Sequence, residues 1–372
     1  MLQSHSKLSS ANQRSPRVAV IVEGTIGDSL ILVPSLRMIE KYYTGTAVEI
    51  VSFTNSPSIS AGAILADTFP EFKFSNIDNS ADRGVLGRLT AWVKLARYVR
   101  RHKIKQVIYG FRSETKTSGA RAKLHRRILS LLSSATLVGF EIKRWPSKTG
   151  VIPQNQIARL MFSRLSEALG ERTAFEDFSH GVRLSNSDRL AGEAWLRQHG
   201  VCQQSTYVAV CVTAKEPVQR WEISRYVDVL QKLNEANQVV PVFIGAPDDA
   251  KLHNELISSL GLGWTAAGLP LGQAAAIIQG AAFYLGNDTG PMHLAAGLGR
   301  PCVVVQSARW HPGAWDPLGS GHFVHKYSPE CAGCGLSVCP LEVQVCLSNI
   351  SPKSVLESCK KVLASETISE KI

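Results

Sequence analysis

The chain has 372 residues, is 44% hydrophobic and carries a net charge of +11. That length exceeds what one core holds and suits two domains, and no apolar run reaches the about eighteen residues that cross a bilayer. The charge is local: residues 81–130 hold fourteen Lys and Arg against two acids, and the rest of the chain is close to neutral. A basic face of that kind points to phosphates, an anionic membrane surface or nucleic acid. The opening "MLQSHSKLSSANQRSP" is polar and lacks the apolar region of a signal peptide. It reads as a short disordered tail, on a cytoplasmic protein with reduced thiols.

From Arg17, "RVAVIVEG" is a β-branched run ending in Gly, which predicts a buried strand. "DSLILVPSLRMIEKYY" has helical spacing, and "TAVEIVSF" is a second strand. "LGRLTAWVKLARYVRRHKI" is an amphipathic helix with a basic face, followed by the strand "KQVIYG". "AKLHRRILSLL" and "ATLVGF" repeat that pair as a basic helix and a strand. Alternation of this kind predicts a parallel, doubly wound sheet.

The pattern restarts with the strand "YVAVCV", the helix "EISRYVDVLQKLNEA" and the strand "VVPVFIG". The helix "PDDAKLHNELISSL" comes next, then the helix and strand "LGQAAAIIQGA" and "AFYLGN", then "TGPMHLAAGLG" and "PCVVVQ". The seam falls near "FSHGVRLSNSDRL", residues 178–190, which is polar and rich in turn formers. A last helix, "SPKSVLESCKKVLA", opens on Ser351 and Pro352, an N-cap and first-turn pair. Two such α/β units facing each other make a cleft, and ligands bind beyond the carboxyl ends of the strands.

The residues just after strands therefore carry the functional reading. Gly24, Gly27 and Asp28 follow the first strand, where Asp28 reads either as the N-cap of the next helix or as a base facing the cleft. A G-x-G-x-x-G fingerprint is missing, which argues against a dehydrogenase. In "GNDTGPMH", the N–H groups around Gly290, the Thr289 hydroxyl and the helix dipole make an anion site, to which His293 adds a donor. The plainer reading makes Asp288 and Thr289 caps and His293 a core residue. Asp248 and Asp249 end another strand, where a carboxylate accepts from ribose or merely favours a helix start. Lys215 and Arg220 offer cations for a leaving diphosphate, or are surface charges, and Trp221 reads as core. Cys331, Cys334, Cys339 and Cys346 fit a structural metal site such as zinc, or structural thiols or disulfides.

These segments resemble glycosyltransferase family 9, the ADP-heptose:lipopolysaccharide heptosyltransferases. "GNDTGPMHLAAGLGRPCVVV" is similar to the family's signature, and "GTIGDSLILVPSLRMI" to its N-terminal Gly-Asp segment. "AAGLPLGQAAAIIQGAAFYLGNDTGPMHLAAGLGRP" and "CLSNISPKSVLESCKKVL" extend the likeness, which runs from about Arg17 to Leu363. The resemblance implies the GT-B architecture: two Rossmann-like doubly wound domains facing a cleft. It divides the chain into a tail at 1–16, an acceptor-binding domain at 17–182, a sugar-nucleotide domain at 183–350 and a helix with tail at 351–372.

It further implies an inverting reaction with no cofactor required for catalysis. Asp28 is then the general base, with Thr25 and Gly27 on the acceptor side. Asp288, Thr289, Gly290 and His293 hold the donor diphosphate, and Asp249 reaches the ribose. The family's usual lysine is Gln219 here, so the phosphate role passes to Arg220 or Lys215 or is absent. The ribose acid is Asp in place of the usual Glu, and "ARWHPGAWDPLG" is long and aromatic. The expected reaction moves a sugar, heptose first, from an ADP-sugar to a lipopolysaccharide-core or related anionic glycolipid. The basic helices at 86–103 and 121–127 would face that lipid or the anionic inner face of the inner membrane, with no nucleic-acid partner. The alternatives are a transferase for a protein or small-molecule acceptor, and an inactive sugar-nucleotide-binding protein.

Overall fold

β-Branched runs flanked by turn formers become the two parallel sheets of the protein, each covered by helices on both faces. The computed structural model describes residues 18–369, apart from 55, 79–83, 110–117, 141–155, 202–205 and 312. The expected tail at 1–16 lies outside the described residues.

In chain order the first unit runs β1 (Val18–Glu23), α1 (Ile26–Leu30), α2 (Val33–Tyr42), β2 (Val48–Phe53), α3 (Ala61–Leu65) and β3 (Lys73–Ile77). It continues with α4 (Gly84–Arg101), β4 (Gln106–Ile108), α5 (Ser118–Leu132), β5 (Thr136–Val138) and α6 (Gln156–Leu169). Its sheet order is β3-β2-β1-β4-β5, all parallel. The second unit runs α7 (Asn186–Gln198), β6 (Tyr207–Cys211), α8 (Ile223–Asn237), β7 (Val240–Phe243), α9 (Ala250–Leu260) and β8 (Trp264–Thr265). It ends with α10 (Leu271–Gly280), β9 (Tyr284–Asn287), α11 (Gly290–Gly297), β10 (Cys302–Gln306), β11 (Phe323–Lys326), α12 (Val345–Ser348) and α13 (Pro352–Ser369). Its sheet order is β11-β10-β9-β6-β7-β8, again all parallel. Both orders reverse once, between β1 and β4 and between β6 and β9, and these switch points open the crevices in which such sheets bind ligands.

Every strand read from the sequence is present, and three more join them. β3, β8 and β11 are edge strands whose mixed, partly polar residues lack the run of buried apolar side chains that marks β1 or β10. The single helix expected at 28–43 is two. Pro34 has no N–H to give Leu30 and its ring crowds that carbonyl, so α1 ends and α2 restarts with Pro34 in its first turn.

The stretch 178–190 proves to be both a linker and a helix start. Val182 N–H donates to Gly297 O at 2.8 Å, Arg183 N–H to Thr68 Oγ1 at 2.9 Å, and Arg37 Nη2 to Gly181 O at 3.2 Å, so the linker is fastened to both units. Ser185 then caps α7 by accepting from the Asp188 N–H at 3.0 Å. Ser351 caps α13 in the same way through the Ser354 N–H, as its sequence predicts.

One continuous apolar cluster joins the facing sides of the two sheets, from Val20 and Leu30 to Ala209, Met292 and Leu294. A second packs α8, α9 and α13 on the far side of β6–β10, and a third packs α4 and α5 on the far side of β1–β4. In the third, Trp92 stacks on His125 at 4.0 Å, which turns the opposite edge of α5 to solvent.

Candidate active site

The loop after β1 is built around one carboxylate. Gly24 has φ +117°, and a Cβ there would fall 2.4 Å from Asp28 Cγ, so only glycine lets the strand end and Asp28 come together. Thr25, not Asp28, is the N-cap of α1. Asp28 sits at the third helical position and reaches back, its Oδ2 accepting from Thr25 N at 2.8 Å and Thr25 Oγ1 at 3.3 Å. The N-cap role expected of Asp28 thus falls to Thr25, and Asp28 completes the capping box from inside the helix. Burial raises the Asp28 pKa, against the opposing effects of Thr25 and of the nearby Lys215 ammonium. Lys215 belongs to the other unit, so its charge reaches Asp28 across the cleft.

Across from this loop lies the start of α11. A Cβ on Gly27 would stand 2.9 Å from His293 Cδ2, and one on Gly290 would stand 3.1 Å from Ile26 Cβ. Two glycines thus let the first turns of α1 and α11 meet. Thr289 is the N-cap of α11, but its hydroxyl turns inward, toward Asn287 O at 3.4 Å and Tyr284 OH at 3.4 Å. The hydroxyl expected at the anion site is instead part of the β9 interior. The helix-start N–H groups carry no side-chain cap. His293 is 5% exposed, its Nδ1 has no partner, and burial lowers its pKa to about 4. It is a neutral imidazole, suited to donate a hydrogen bond and not to supply a charge.

Asn287 and Asp288, at the end of β9, organise the switch point. Asn287 is fully buried. Its Oδ1 accepts from Trp221 N at 3.1 Å and Tyr226 OH at 2.9 Å, and its Nδ2 donates to Val212 O at 2.9 Å, tying β9 to the end of β6. Asp288 is buried as well. Its Oδ2 accepts from Gln306 Nε2 at 3.3 Å and its main-chain O from Gln219 Nε2 at 2.9 Å. Burial raises its pKa from 3.8 to about 7, with Asp316 adding to the rise and Arg309 opposing it.

Folding therefore favours protonated Asp288. The stability this contributes is full below pH 3.8 and is lost as pH rises through 7. Asp288→Asn, which keeps an acceptor for Gln306, should match the wild-type melting temperature near pH 4 and exceed it at pH 8, where its unfolding free energy is higher by on the order of a few kcal/mol. Equal melting temperatures at both pH values would exclude the buried acid.

The other expected residues divide. Asp249 Oδ2 accepts from Thr213 Oγ1 at 3.0 Å and Ala246 N at 2.7 Å, which places it beside the end of β6, while Asp248 is exposed. Arg220 is exposed and its Nε donates to Ala214 O at 2.8 Å, closing its own loop. Trp221 is core, 1% exposed. Cys331 and Cys334 are exposed, Cys339 is half-buried and Cys346 is buried. Among the described residues no group of three or more His, Cys, Asp or Glu is arranged to hold a metal ion, so the four sulfurs are not drawn together as a ligand set.

Sequence reasoning did not single out Asn287, Gln306, Arg309 or Trp315. The advance signals were the ends of β9 and β10, where Asn287 and Gln306 stand, and the aromatic segment "ARWHPGAWDPLG", which contains Arg309 and Trp315. Trp315 packs edge-on against His293 at 6.0 Å and its indole Nε1 has no partner.

Comparison with known proteins agrees with this geometry. Residues 169–331 match the model of glycosyltransferase family 9 (heptosyltransferase). No curated protein matches. Among solved structures, a family 9 glycosyltransferase from Veillonella parvula has a TM-score of 0.71 at 18% identity, over 96% of this chain and 100% of its own. The ADP-heptose lipopolysaccharide heptosyltransferase II of E. coli has a TM-score of 0.64 at 17% identity, over 94% and 99%. E. coli heptosyltransferase WaaC with ADP has 0.61 at 15%, over 93% and 99%. The fold is thus the GT-B fold expected, the resemblance to family 9 holds over 169–331, and a glycosyltransferase is the enzyme class these matches support.

Proposed function

We propose that this protein, with its GT-B fold and its family 9 segment, is an inverting glycosyltransferase that moves a heptose from an ADP-sugar to an anionic glycolipid. The observation that carries the reading is the meeting of Asp28 and Lys215 with the α11 start and His293 across one cleft. The donor diphosphate lies at the α11 N-terminus, where the Gly290 N–H and the His293 ring offer donors. Because α1 touches α11 at Gly27, a bound donor requires the two units to part there and close again around it. The solved relatives that bind ADP or are named for ADP-heptose support the choice of donor.

The acceptor oxygen attacks the anomeric carbon from the face opposite the diphosphate. The bond from that carbon to the phosphate oxygen breaks, ADP leaves with the electron pair, and the acceptor proton passes to Asp28. A raised Asp28 pKa makes it a stronger base than an exposed carboxylate. Lys215 and Arg220 add positive charge at the rim, and Asp249 faces the ribose. Titration with ADP-heptose, UDP-glucose and GDP-mannose tests the reading: ADP-heptose and ADP should raise the melting temperature, and stabilisation by none of them overturns it.

The acceptor side rests on the outer edge of α4 and α5. Lys94, Arg97 and Arg101 are exposed on α4, and Lys123, Arg126 and Arg127 on α5, where Leu131 is 83% exposed. Cations flanking an exposed leucine suit an anionic lipid surface. No helix among the described residues is long and apolar enough to cross a membrane. Sedimentation with vesicles should show binding when phosphatidylglycerol is present, loss in 0.5 M salt, and at least severalfold weakening in Arg126→Glu/Leu131→Asp, at about 1 kcal/mol per cation. Equal binding to neutral vesicles would remove this surface from the proposal.

A further inference from the structure

The loop beyond β10 buries a guanidinium that neither the fold nor its neighbours fully use. Arg309 is 9% exposed. Its main chain is pinned by the Gly335 N–H, which donates to Arg309 O at 2.8 Å. Its Nη1 donates to Gln219 Oε1 at 3.2 Å and stands 4.0 Å from Glu216 Oε1, the outer limit of an ion pair. Its Cζ lies 5.1 Å over the Trp310 ring. Its Nε is buried with no partner. A cation taken out of water is costly unless paired at close range, and one long contact with Glu216, beside an Asp288 that burial tends to keep protonated, leaves this charge undercompensated.

The position gives the charge a use. Gln219 accepts from Arg309 with its oxygen and donates to Asp288 O with its nitrogen, at 2.9 Å. That chain runs from the guanidinium to the residue two places before Gly290 and the start of α11. The two cations expected from the sequence do not reach there. Lys215 is exposed and faces Asp28, and Arg220 is exposed and bound to Ala214 O. A planar fork with an unused N–H suits two oxygens of a phosphate.

We infer that Arg309 is the cation that binds the nucleoside diphosphate of the donor and holds its charge as it leaves, with Gln219 as the residue that orients it. This rests on the donor-site reading above and assigns the role that Gln219, an amide, cannot fill by charge.

Calorimetric titration of the full chain with ADP and with pyrophosphate tests the inference. Arg309→Gln should weaken ADP binding by about tenfold to a hundredfold, the range for a lost charged hydrogen-bond pair. Its melting temperature should stay near that of the wild type. Adding Gln219→Lys to Arg309→Gln puts an ammonium beside Asp288 O and should restore at least part of the affinity, which a purely structural role would not allow. If Arg309→Gln fails to fold, Arg309→Lys keeps the charge without the fork and should still weaken binding. Wild-type protein that binds ADP, with Arg309→Gln or a folded Arg309→Lys binding equally well, overturns the inference alone. A loss that Gln219→Lys leaves untouched also overturns it. Wild-type protein that binds neither ADP nor pyrophosphate overturns the donor-site reading, and this inference with it.

Discussion

Asp28→Asn should lose between about 10² and 10⁴ of the transfer rate while remaining folded and still binding ADP. The substitution separates the two tasks of this side chain. As a cap, Asp28 needs only an oxygen for Thr25 N–H and Oγ1, and an asparagine carbonyl provides one. As a base it needs a lone pair that takes a full proton, which an amide lacks. The loss should fall on kcat, because the acceptor and donor contacts are kept. Asp28→Ala should cost a further about 1 kcal/mol of stability, since the Thr25 N–H loses its partner. Wild-type kcat/KM should fall as the pH drops through a pKa above the ordinary carboxylate range, since burial holds the Asp28 proton more tightly. A variant that keeps half of the wild-type kcat would remove Asp28 from the chemistry and leave it a cap.

The same doubling explains what the sequence could and could not tell. The strands at Val18, Tyr207 and Cys302 are buried on both faces and read as near-continuous apolar runs, while those at Val48 and Tyr284 are equally buried yet carry Glu49, Ser52 and Asn287. β3 and β11 pair on one side only and tolerate Lys, Ser, Asn and His, which erases the run. Pro34 is a helix breaker, but the apolar spacing continues across it and masks the break. The linker at 178–185 looks polar, yet it is fixed by backbone hydrogen bonds to both units, which no composition reports.

At the site, residue type and distance along the chain located Asp28, Asp288 and His293, because glycines and caps after strands are local features. Side-chain direction is not set by residue type. Thr289 turns its hydroxyl toward Tyr284, five residues back, and Arg220 folds onto Ala214, six residues back, and neither turn is written in the spacing. Arg309 was unread for the converse reason. An arginine before a tryptophan carries no signal until the ends of β10 and β9 meet the two ends of the Gln219 amide. The amide at position 219 was legible as an uncharged residue; the guanidinium that reaches it from another strand end required the sheet order.

Asn287→Ala should destabilise the protein by about 3–5 kcal/mol, the largest stability effect expected of any single residue near the site. The alanine removes an acceptor from Trp221 N–H and Tyr226 OH and a donor from Val212 O, all buried away from bulk solvent. Each polar group left unpaired costs about 1–3 kcal/mol, and the three losses share one cavity and do not simply add. Tyr226→Phe provides the scale, because it deletes one hydroxyl and leaves Asn287 its other two partners; about 1 kcal/mol is expected. Urea denaturation followed by circular dichroism should show the midpoint of Asn287→Ala falling well below that of Tyr226→Phe at similar slope. The effect should reach function as well. Asn287 holds β9 to β6 at the switch point, and Asp288 and Gly290 follow directly from it. ADP affinity should therefore fall even at temperatures where the variant is fully folded. A loss under 1 kcal/mol with normal ADP binding would mean that the β6–β9 ladder alone sets the spacing of the site.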